Sequence, residues 1–131
     1  MILVDTSVFV AWMDLSHPNH TACTRALRVW AGRDQLGVSS VTYAELAAGA
    51  RSQEGVDEDL KPFERIELSF EAAWRAGQRF RQYRPAKDDA PVLPDFFIRA
   101  QAAVLAIQHL TNDRRRTVVW PELDFIFPER S

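Results

Sequence analysis

A three-residue apolar run near the start of the chain ends directly on a carboxylate. Residues 2–4 (Ile-Leu-Val) are followed at once by Asp5. A short run without polar alternation predicts a strand buried on both faces, as in a parallel sheet covered by helices. Asp5 would then lie at the carboxyl end of that strand, which is the edge where ligands bind in open α/β sheets. The alternative is that Asp5 only caps a helix over residues 6–13.

The rest of the chain alternates between short apolar runs and helical patterns, which predicts an α/β domain with right-handed crossovers. We expect one domain, residues 1–131, because this length and a hydrophobic content of 47% suffice for a single core. In the fourth predicted helix, Ala73, Trp74, Gly77 and Phe80 are expected to face that core. The segment 51–61 is expected to be a loop with solvated acids and a short helix near Pro62. The later strands are predicted at 36–39, 65–69, 109–113 and 124–127, and the later helices at about 18–31, 41–50, 70–84 and 94–107, with a surface loop at 86–94.

Composition limits the class of protein. The formal net charge of -2 argues against a general basic nucleic-acid binder, and the single cysteine, Cys23, cannot form an internal disulfide. We expect a cytoplasmic protein, since no signal peptide or long apolar run is evident. Of the 16 basic residues only Lys61 and Lys87 are lysines, and arginine suits phosphate recognition. The arginines could equally solvate helix faces or reflect genome composition.

Four acids stand where a short apolar stretch gives way to a helix start or a turn: Asp5, Glu45, Asp95 and Asp113. In a parallel sheet with right-handed crossovers such places gather along one edge. Four carboxylates in one pocket would repel one another and raise at least one pKa, so the arrangement predicts bound divalent ions. Oxygen-only ligation favours Mg²⁺, with Mn²⁺ as a substitute, and disfavours zinc.

Each acid also has a purely structural explanation. Glu45 has the capping-box spacing from Thr42, Asp95 could complement the dipole of a helix that opens at Pro94, and Asp113 could be a turn aspartate.

The sequence around these acids resembles a known family. The stretches Ile2-Leu-Val-Asp-Thr-Ser-Val8, Val41-Thr-Tyr-Ala-Glu-Leu46, Leu93-Pro-Asp-Phe-Phe-Ile98 and Leu110-Thr-Asn-Asp113 are similar, in order and spacing, to the acidic motifs of PIN-domain ribonucleases, above all VapC-type toxins of bacterial toxin–antitoxin pairs. The resemblance implies a three-layer PIN-like α/β fold, with a central parallel sheet of four or five strands and helices on both faces. It also implies a metal-dependent endoribonuclease that leaves a 5′-phosphate, a homodimer, and inhibition by a cognate antitoxin.

The roles expected of the site residues follow from hard-ion chemistry. Asp5, Asp95 and Asp113 would hold one or two Mg²⁺ ions, with Glu45 as a further ligand or as the residue that positions a water molecule. Thr6 and Thr111 could orient the carboxylates through hydrogen bonds, or could act only as caps. Arg99 and Gln101 stand at helix positions where relatives often have small residues or a histidine; they could alter substrate preference, but they do not remove a ligand.

Three other functions share some of these sequence features. A phosphoacceptor receiver domain needs adjacent acids after its first strand and a late lysine, but Thr6 follows Asp5 and no lysine follows Lys87. A dinucleotide-binding module needs a glycine-rich first turn, which residues 5–7 do not provide. A PIN-like module that binds RNA or a protein without cutting remains the alternative.

Overall fold

The computed structural model of the chain describes residues 1–83 and 93–129. The described residues form five strands in one sheet, and every neighbouring pair in the order β3-β2-β1-β4-β5 is parallel. The strands are β1 (Ile2–Val4), β2 (Leu36–Ser39), β3 (Glu64–Ile66), β4 (Gln108–Leu110) and β5 (Phe125–Ile126).

Helices cover both faces of this sheet, so the predicted three-layer α/β fold is confirmed. The helices are α1 (Thr6–Met13), α2 (His20–Ala31), α3 (Ser40–Ala48), α4 (Gln53–Asp59), α5 (Phe70–Gln82) and α6 (Leu93–Leu105), and a 3₁₀ helix spans Thr117–Val119. No helix within residues 1–83 or 93–129 is both long and apolar enough to cross a membrane.

The central strand β1 explains why the apolar run at the chain start is so compact. All three of its residues are fully buried, and they alternate between the two faces of the sheet. Ile2 and Val4 belong to a core cluster with α1, α2 and α4. Leu3 packs on the other face against Ile98 and Ala102 of α6. A strand covered on both sides cannot carry the polar alternation of a half-exposed strand.

The pair α5 and α6 packs closely through small residues. Ala72 and Ala76 of α5 are fully buried in a cluster with Phe96, Ala100 and Trp120. The expectation that Trp74 and Gly77 face the core was therefore wrong, since the Trp74 side chain is 70% exposed and Gly77 is exposed as well. The alanines take that face because their small side chains let the two helices approach each other.

Several predicted boundaries also change. The third strand ends at Ile66 rather than at residue 69, and the short helix expected near Pro62 lies earlier, as α4. Its Asp57 is not simply solvated, because its Oδ1 accepts hydrogen bonds from the Tyr43 hydroxyl at 2.8 Å and from Arg65 Nη2 at 2.7 Å. The predicted end of the fourth helix and most of the loop expected at 86–94 lie outside the described residues.

Candidate active site

The four predicted acids lie around one edge of the sheet. Asp5 directly follows β1, Asp113 follows β4, Asp95 stands in the first turn of α6, and Glu45 is carried by α3, which follows β2. The charges of Asp5, Asp113 and Glu45 all act on the pKa of Asp95. The topology thus brings the four acids together, as the spacing of the sequence predicts.

Asp5 is both a helix cap and a site residue. Its Oδ2 accepts a hydrogen bond from the backbone N of Ser7 at 3.0 Å, which caps α1. Its own backbone N donates to the carbonyl of Leu110 at 2.8 Å, so the carboxylate is placed where β1 and β4 end. The side chain is nearly buried. The two alternatives for Asp5 are therefore compatible.

Glu45 is held by hydroxyls rather than by a capping box. The helix α3 begins at Ser40, and its cap is Ser39, so Thr42 does not have the capping role expected of it. The Thr6 hydroxyl donates to Glu45 Oε1 at 2.8 Å and lies 2.8 Å from the Thr42 hydroxyl. Because the only proton of Thr6 goes to Glu45, Thr42 must be the donor to Thr6. This chain of hydroxyls fixes Glu45 from α1 and α3 together.

The surroundings of Asp95 shift its ionisation strongly. Burial, together with the negative charges of Asp5, Asp113 and Glu45, raises its pKa to about 6. Arg116 acts in the opposite direction, with its Nη2 at 3.9 Å from Asp95 Oδ2. The folded chain therefore disfavours the charged form of this acid, because the neighbouring carboxylates repel a further negative charge.

Asp113 is bound by the arginine two residues later. Arg115 Nε lies 3.0 Å from Oδ1 and Nη2 lies 3.1 Å from Oδ2, and the backbone N of Arg115 also donates to Oδ1 at 3.0 Å. Burial alone would raise the pKa of Asp113, but the hydrogen bonds from Arg115 outweigh it and lower the pKa. Both carboxylate oxygens are thus engaged by one side chain.

Hydroxyl groups also position the segment that carries Asp113. The Thr111 hydroxyl accepts a hydrogen bond from the backbone N of Asp113 at 3.0 Å, and the Ser7 hydroxyl accepts one from the backbone N of Asn112 at 3.0 Å. Thr6 therefore contacts the carboxylate of Glu45, whereas the hydroxyls of Thr111 and Ser7 contact the backbone of the segment that carries Asp113 rather than its carboxylate.

Arg99 lies beneath this segment and supports it. Its side chain is buried, with 6% of the residue exposed, and it donates to the carbonyls of Asp113 at 3.0 Å and of Arg115 at 2.9 Å. Its guanidinium also lies 5.0 Å from the centre of the Phe125 ring. The residue that departs from the family pattern is therefore a structural support placed among the acids, whose charges also act on its pKa.

Gln101, the second departure, connects two elements behind the site. Its Oε1 accepts a hydrogen bond from the Ser39 hydroxyl, and its Nε2 donates to the carbonyl of Ile66 at 3.4 Å. It therefore ties α6 to the ends of β2 and β3.

His109 was not recognised from the sequence as part of this region. It is fully buried in β4, and its Nδ1 lies 3.0 Å from the Leu3 carbonyl, so Nδ1 carries the proton. Its Nε2 has no hydrogen-bond partner among the described residues and lies 3.8 Å from Asp5 Oδ1. Burial lowers the pKa of His109. The available signal was a histidine in a short strand, one position before its end.

The donor chemistry fits a hard divalent cation, because the four acids provide only carboxylate oxygens. His17 and His20 lie elsewhere, at the connection into α2, where His20 Nδ1 is 3.0 Å from the Ala11 carbonyl. In the part of the chain that the structure describes, no three His, Cys, Asp or Glu side chains are already grouped so that they could hold a metal ion. Arginines neutralise two of the acids instead, so ion binding requires side chains at this edge to move.

Comparisons with known proteins agree with this fold. The family model described as "PIN domain" matches residues 2–120 of the chain. No curated protein matches the sequence.

Solved structures of toxin–antitoxin proteins have the same fold. The chain is similar to a toxin–antitoxin complex from Klebsiella pneumoniae, with a TM-score of 0.76, 21% identity and 100% of both chains covered. It is similar to VapBC2 from Rickettsia felis bound to a promoter DNA fragment, with a TM-score of 0.72, 20% identity, and 98% of this chain and 100% of that chain covered. It is also similar to VapC20 from Mycobacterium tuberculosis, a sarcin-ricin loop cleaving toxin, with a TM-score of 0.67, 15% identity, and 92% and 95% covered. The resemblance to VapC-type PIN toxins is confirmed at the level of the fold.

Proposed function

Because the chain belongs to the PIN domain family, we propose that it is a metal-dependent endoribonuclease and the toxin of a toxin–antitoxin pair. The observation that carries the proposal is the convergence of the four acids at the carboxyl edge of the sheet, where burial and the charges of the other three raise the pKa of Asp95. Acids this close together, at the carboxyl edge of a parallel sheet, are suited to binding divalent cations and the phosphates that accompany them.

Each acid has a distinct role in this proposal. Asp5, Asp95 and Asp113 hold one or two Mg²⁺ ions, and Mn²⁺ can substitute. Glu45, fixed by the Thr6 hydroxyl at 2.8 Å, either completes the ligand set or orients the attacking water molecule. A bound ion would supply a water molecule of lowered pKa and would stabilise charge on the attacked phosphate and the leaving oxygen.

An apolar groove beside Glu45 is suited to an antitoxin. It has a volume of about 440 Å³ and lies between α1 and the α3–α4 segment. The partly exposed Val10 and Met13 line one side, and Leu46 and Val56 line the other. An amphipathic antitoxin helix would bury its apolar face there and lead its chain to the acids.

The exposed face of α5 is suited to a second copy of the chain. Phe70, Trp74, Gly77 and Arg81 lie on that face at helical spacing, and a Cβ added at Gly77 would meet nothing within 4 Å. An antiparallel pair of α5 helices would place the indole of Trp74 over Gly77 of the partner subunit. It would also bring the exposed Glu71 near Arg81 of the partner subunit. We therefore include a homodimer in the proposal.

One observation favours the non-cutting alternative. Asp113 is already held through both oxygens by Arg115, so it is not available to a cation in this conformation. A titration with Mg²⁺ followed by thermal denaturation separates the two functions, because an ion that binds only the folded chain must raise the denaturation temperature.

The direct test is incubation of the purified, antitoxin-free protein with total RNA, with Mg²⁺ or with a chelator, followed by mapping of the cut ends. We expect cleavage only with Mg²⁺, and we expect 5′-phosphate ends. Intact RNA under both conditions, with no rise in denaturation temperature on adding Mg²⁺, would support the non-cutting alternative.

The substitution Asp5→Asn is expected to abolish this cleavage without unfolding the chain. Asparagine caps a helix as well as aspartate does, so α1 keeps its cap while the site loses a charge. The matched control is Asp124→Asn, since Asp124 accepts a hydrogen bond from Gln108 Nε2 at 2.8 Å and is not one of the four acids. Full activity in the Asp5 variant would remove this residue from the mechanism.

A further inference from the structure

The exposed side chain of Arg115 forms two hydrogen bonds with the carboxylate of Asp113. Its guanidinium binds both oxygens of Asp113, at 3.0 and 3.1 Å, while 62% of the Arg115 side chain remains exposed. The Asp113 side chain is only 20% exposed. An arginine fork that fits a carboxylate through two parallel hydrogen bonds also fits a phosphate in the same way.

The backbone at this place is fixed independently of the Arg115 side chain. Arg99 holds the carbonyls of Asp113 and Arg115 from beneath, at 3.0 and 2.9 Å. The Arg115 guanidinium can therefore leave Asp113 without displacing the segment that carries the carboxylate.

Arg116 differs from Arg115 in the exposure of its side chain. Its side chain is 6% exposed, and it approaches Asp95 only to 3.9 Å. Arg99 and Arg116 are therefore buried counter-charges, whereas Arg115 is the arginine that can reach solvent and any RNA bound there.

We propose that Arg115 exchanges partners: it holds Asp113 in the ion-free protein, releases it when a divalent cation takes those oxygens, and then binds a phosphate of the RNA. This step rests on the proposed function, because it assumes that Asp113 is a metal ligand and that RNA is the substrate. Arg115 is in this way both a competitor of the cation and a binding residue for the substrate.

The local charge favours such an exchange. Among the described residues, the four ionised acids and the guanidiniums of Arg99, Arg115 and Arg116 together carry one net negative charge, which repels RNA. Adding one divalent ion leaves one net positive charge, which attracts a phosphodiester. The released guanidinium is then drawn to the phosphate rather than back to Asp113.

The test measures ion binding and RNA binding separately in the full chain. Calorimetric titration with Mn²⁺ is expected to show roughly two- to fivefold tighter binding in Arg115→Ala, because the exposed ion pair no longer competes. Anisotropy of a labelled, mixed-sequence single-stranded RNA, with Ca²⁺ present, is expected to show roughly tenfold weaker binding. The variant Arg115→Lys should recover part of the RNA affinity, since it keeps the charge but not the fork.

The matched control is Arg114→Ala, which removes the same charge one residue away. The Arg114 guanidinium lies 4.4 Å from the centre of the Phe127 ring, and its Nη2 donates to the Pro128 carbonyl at 3.5 Å. We expect less than a twofold change in either affinity. Equal effects of the two substitutions would overturn the proposal in favour of a general charge effect.

Two further results would overturn the exchange. Unchanged Mn²⁺ affinity in Arg115→Ala would show that Arg115 does not compete for Asp113, and unchanged RNA affinity would show that it does not bind phosphate. If both affinities shift as expected but no RNA is cut with Mg²⁺, the exchange stands and the nuclease function fails. If the wild-type chain does not bind Mn²⁺, both fail.

Discussion

At Asp95, burial and the neighbouring negative charges both raise the pKa of the carboxyl group. Without a cation, the charged form of Asp95 therefore lowers the free energy of unfolding. The pKa of this carboxyl is about 6 in the folded chain, against 3.8 for an ordinary aspartate. Between these two values the folded chain keeps a proton that the unfolded chain has lost. The free energy of unfolding therefore falls as the pH rises through this range, and the loss persists above pH 6.

The substitution Asp95→Asn is expected to stabilise the metal-free protein at pH 8 by about 1 kcal/mol, since the partly exposed side chain feels less than the full effect. The gain should disappear near pH 4, where Asp95 is protonated in the folded chain. Thermal denaturation in the presence of a chelator, at pH 8 and near pH 4, measures the difference in stability between the variant and the wild-type chain. A less stable variant at pH 8 would show that the carboxylates do not repel one another there.

At the scale of elements, the segment after β4 depends on α6 for its conformation. Arg99 of α6 satisfies the carbonyls of Asp113 and Arg115, and Thr111 satisfies the backbone N of Asp113. Arg116 has a left-handed backbone conformation, with φ 57°, just before the 3₁₀ helix. A segment with this backbone needs such contacts from outside, because it has neither a helix nor a strand ladder of its own.

Replacement of Arg99 by methionine is expected to destabilise the chain by about 2–4 kcal/mol, since two partly buried carbonyls lose charged donors and the acids lose a nearby positive charge. Urea denaturation measures this. The control Arg28→Met, at an exposed position of α2, should change the stability by less than about 0.5 kcal/mol. A similar small change at Arg99 would mean that the segment holds its shape without α6.

Element boundaries were the least predictable part of the fold. The hydrophobic pattern locates β1, β2 and α1 correctly, because burial on both faces or a sharp cap marks their ends. It extended β3 to residue 69, but a strand lasts only as long as its neighbour pairs with it, and Ser39 of β2 pairs with Ile66. It also placed the cap of α3 at Thr42 rather than Ser39, since Ser39, Ser40 and Thr42 lie close together and each has a hydroxyl that can cap a helix.

At the scale of the whole molecule, the exposed face of α5 leads to a prediction about assembly. Phe70 is 96% exposed and Trp74 is 70% exposed, one helical turn apart. Two large aromatic side chains in this position are typical of an interface.

In the proposed dimer, Trp74→Ala is expected to raise the dissociation constant at least about 30-fold, as for a central aromatic contact, without a large change in the stability of each subunit. Sedimentation over a range of concentrations measures the assembly. Leu15→Ala removes an equally exposed apolar side chain from the α1–α2 connection and should have no effect. An unchanged dimer in the Trp74 variant would exclude α5 as the interface.

The sequence by itself determined the alternating order of the main strands and helices, the position of Asp5 at the end of β1 and the position of Asp95 in the first turn of α6. These follow from hydrophobic spacing and capping, which act between residues close together in the chain. Only the tertiary structure decided which groups the four acids meet: the Thr6 hydroxyl at Glu45, Arg115 at Asp113, and the buried Arg99 and His109 beneath them. Apart from the Arg115 contact, these pairs join distant parts of the chain, and even Arg115 takes its position from a backbone that α6 holds. Such contacts depend on how whole elements pack, which no local pattern specifies.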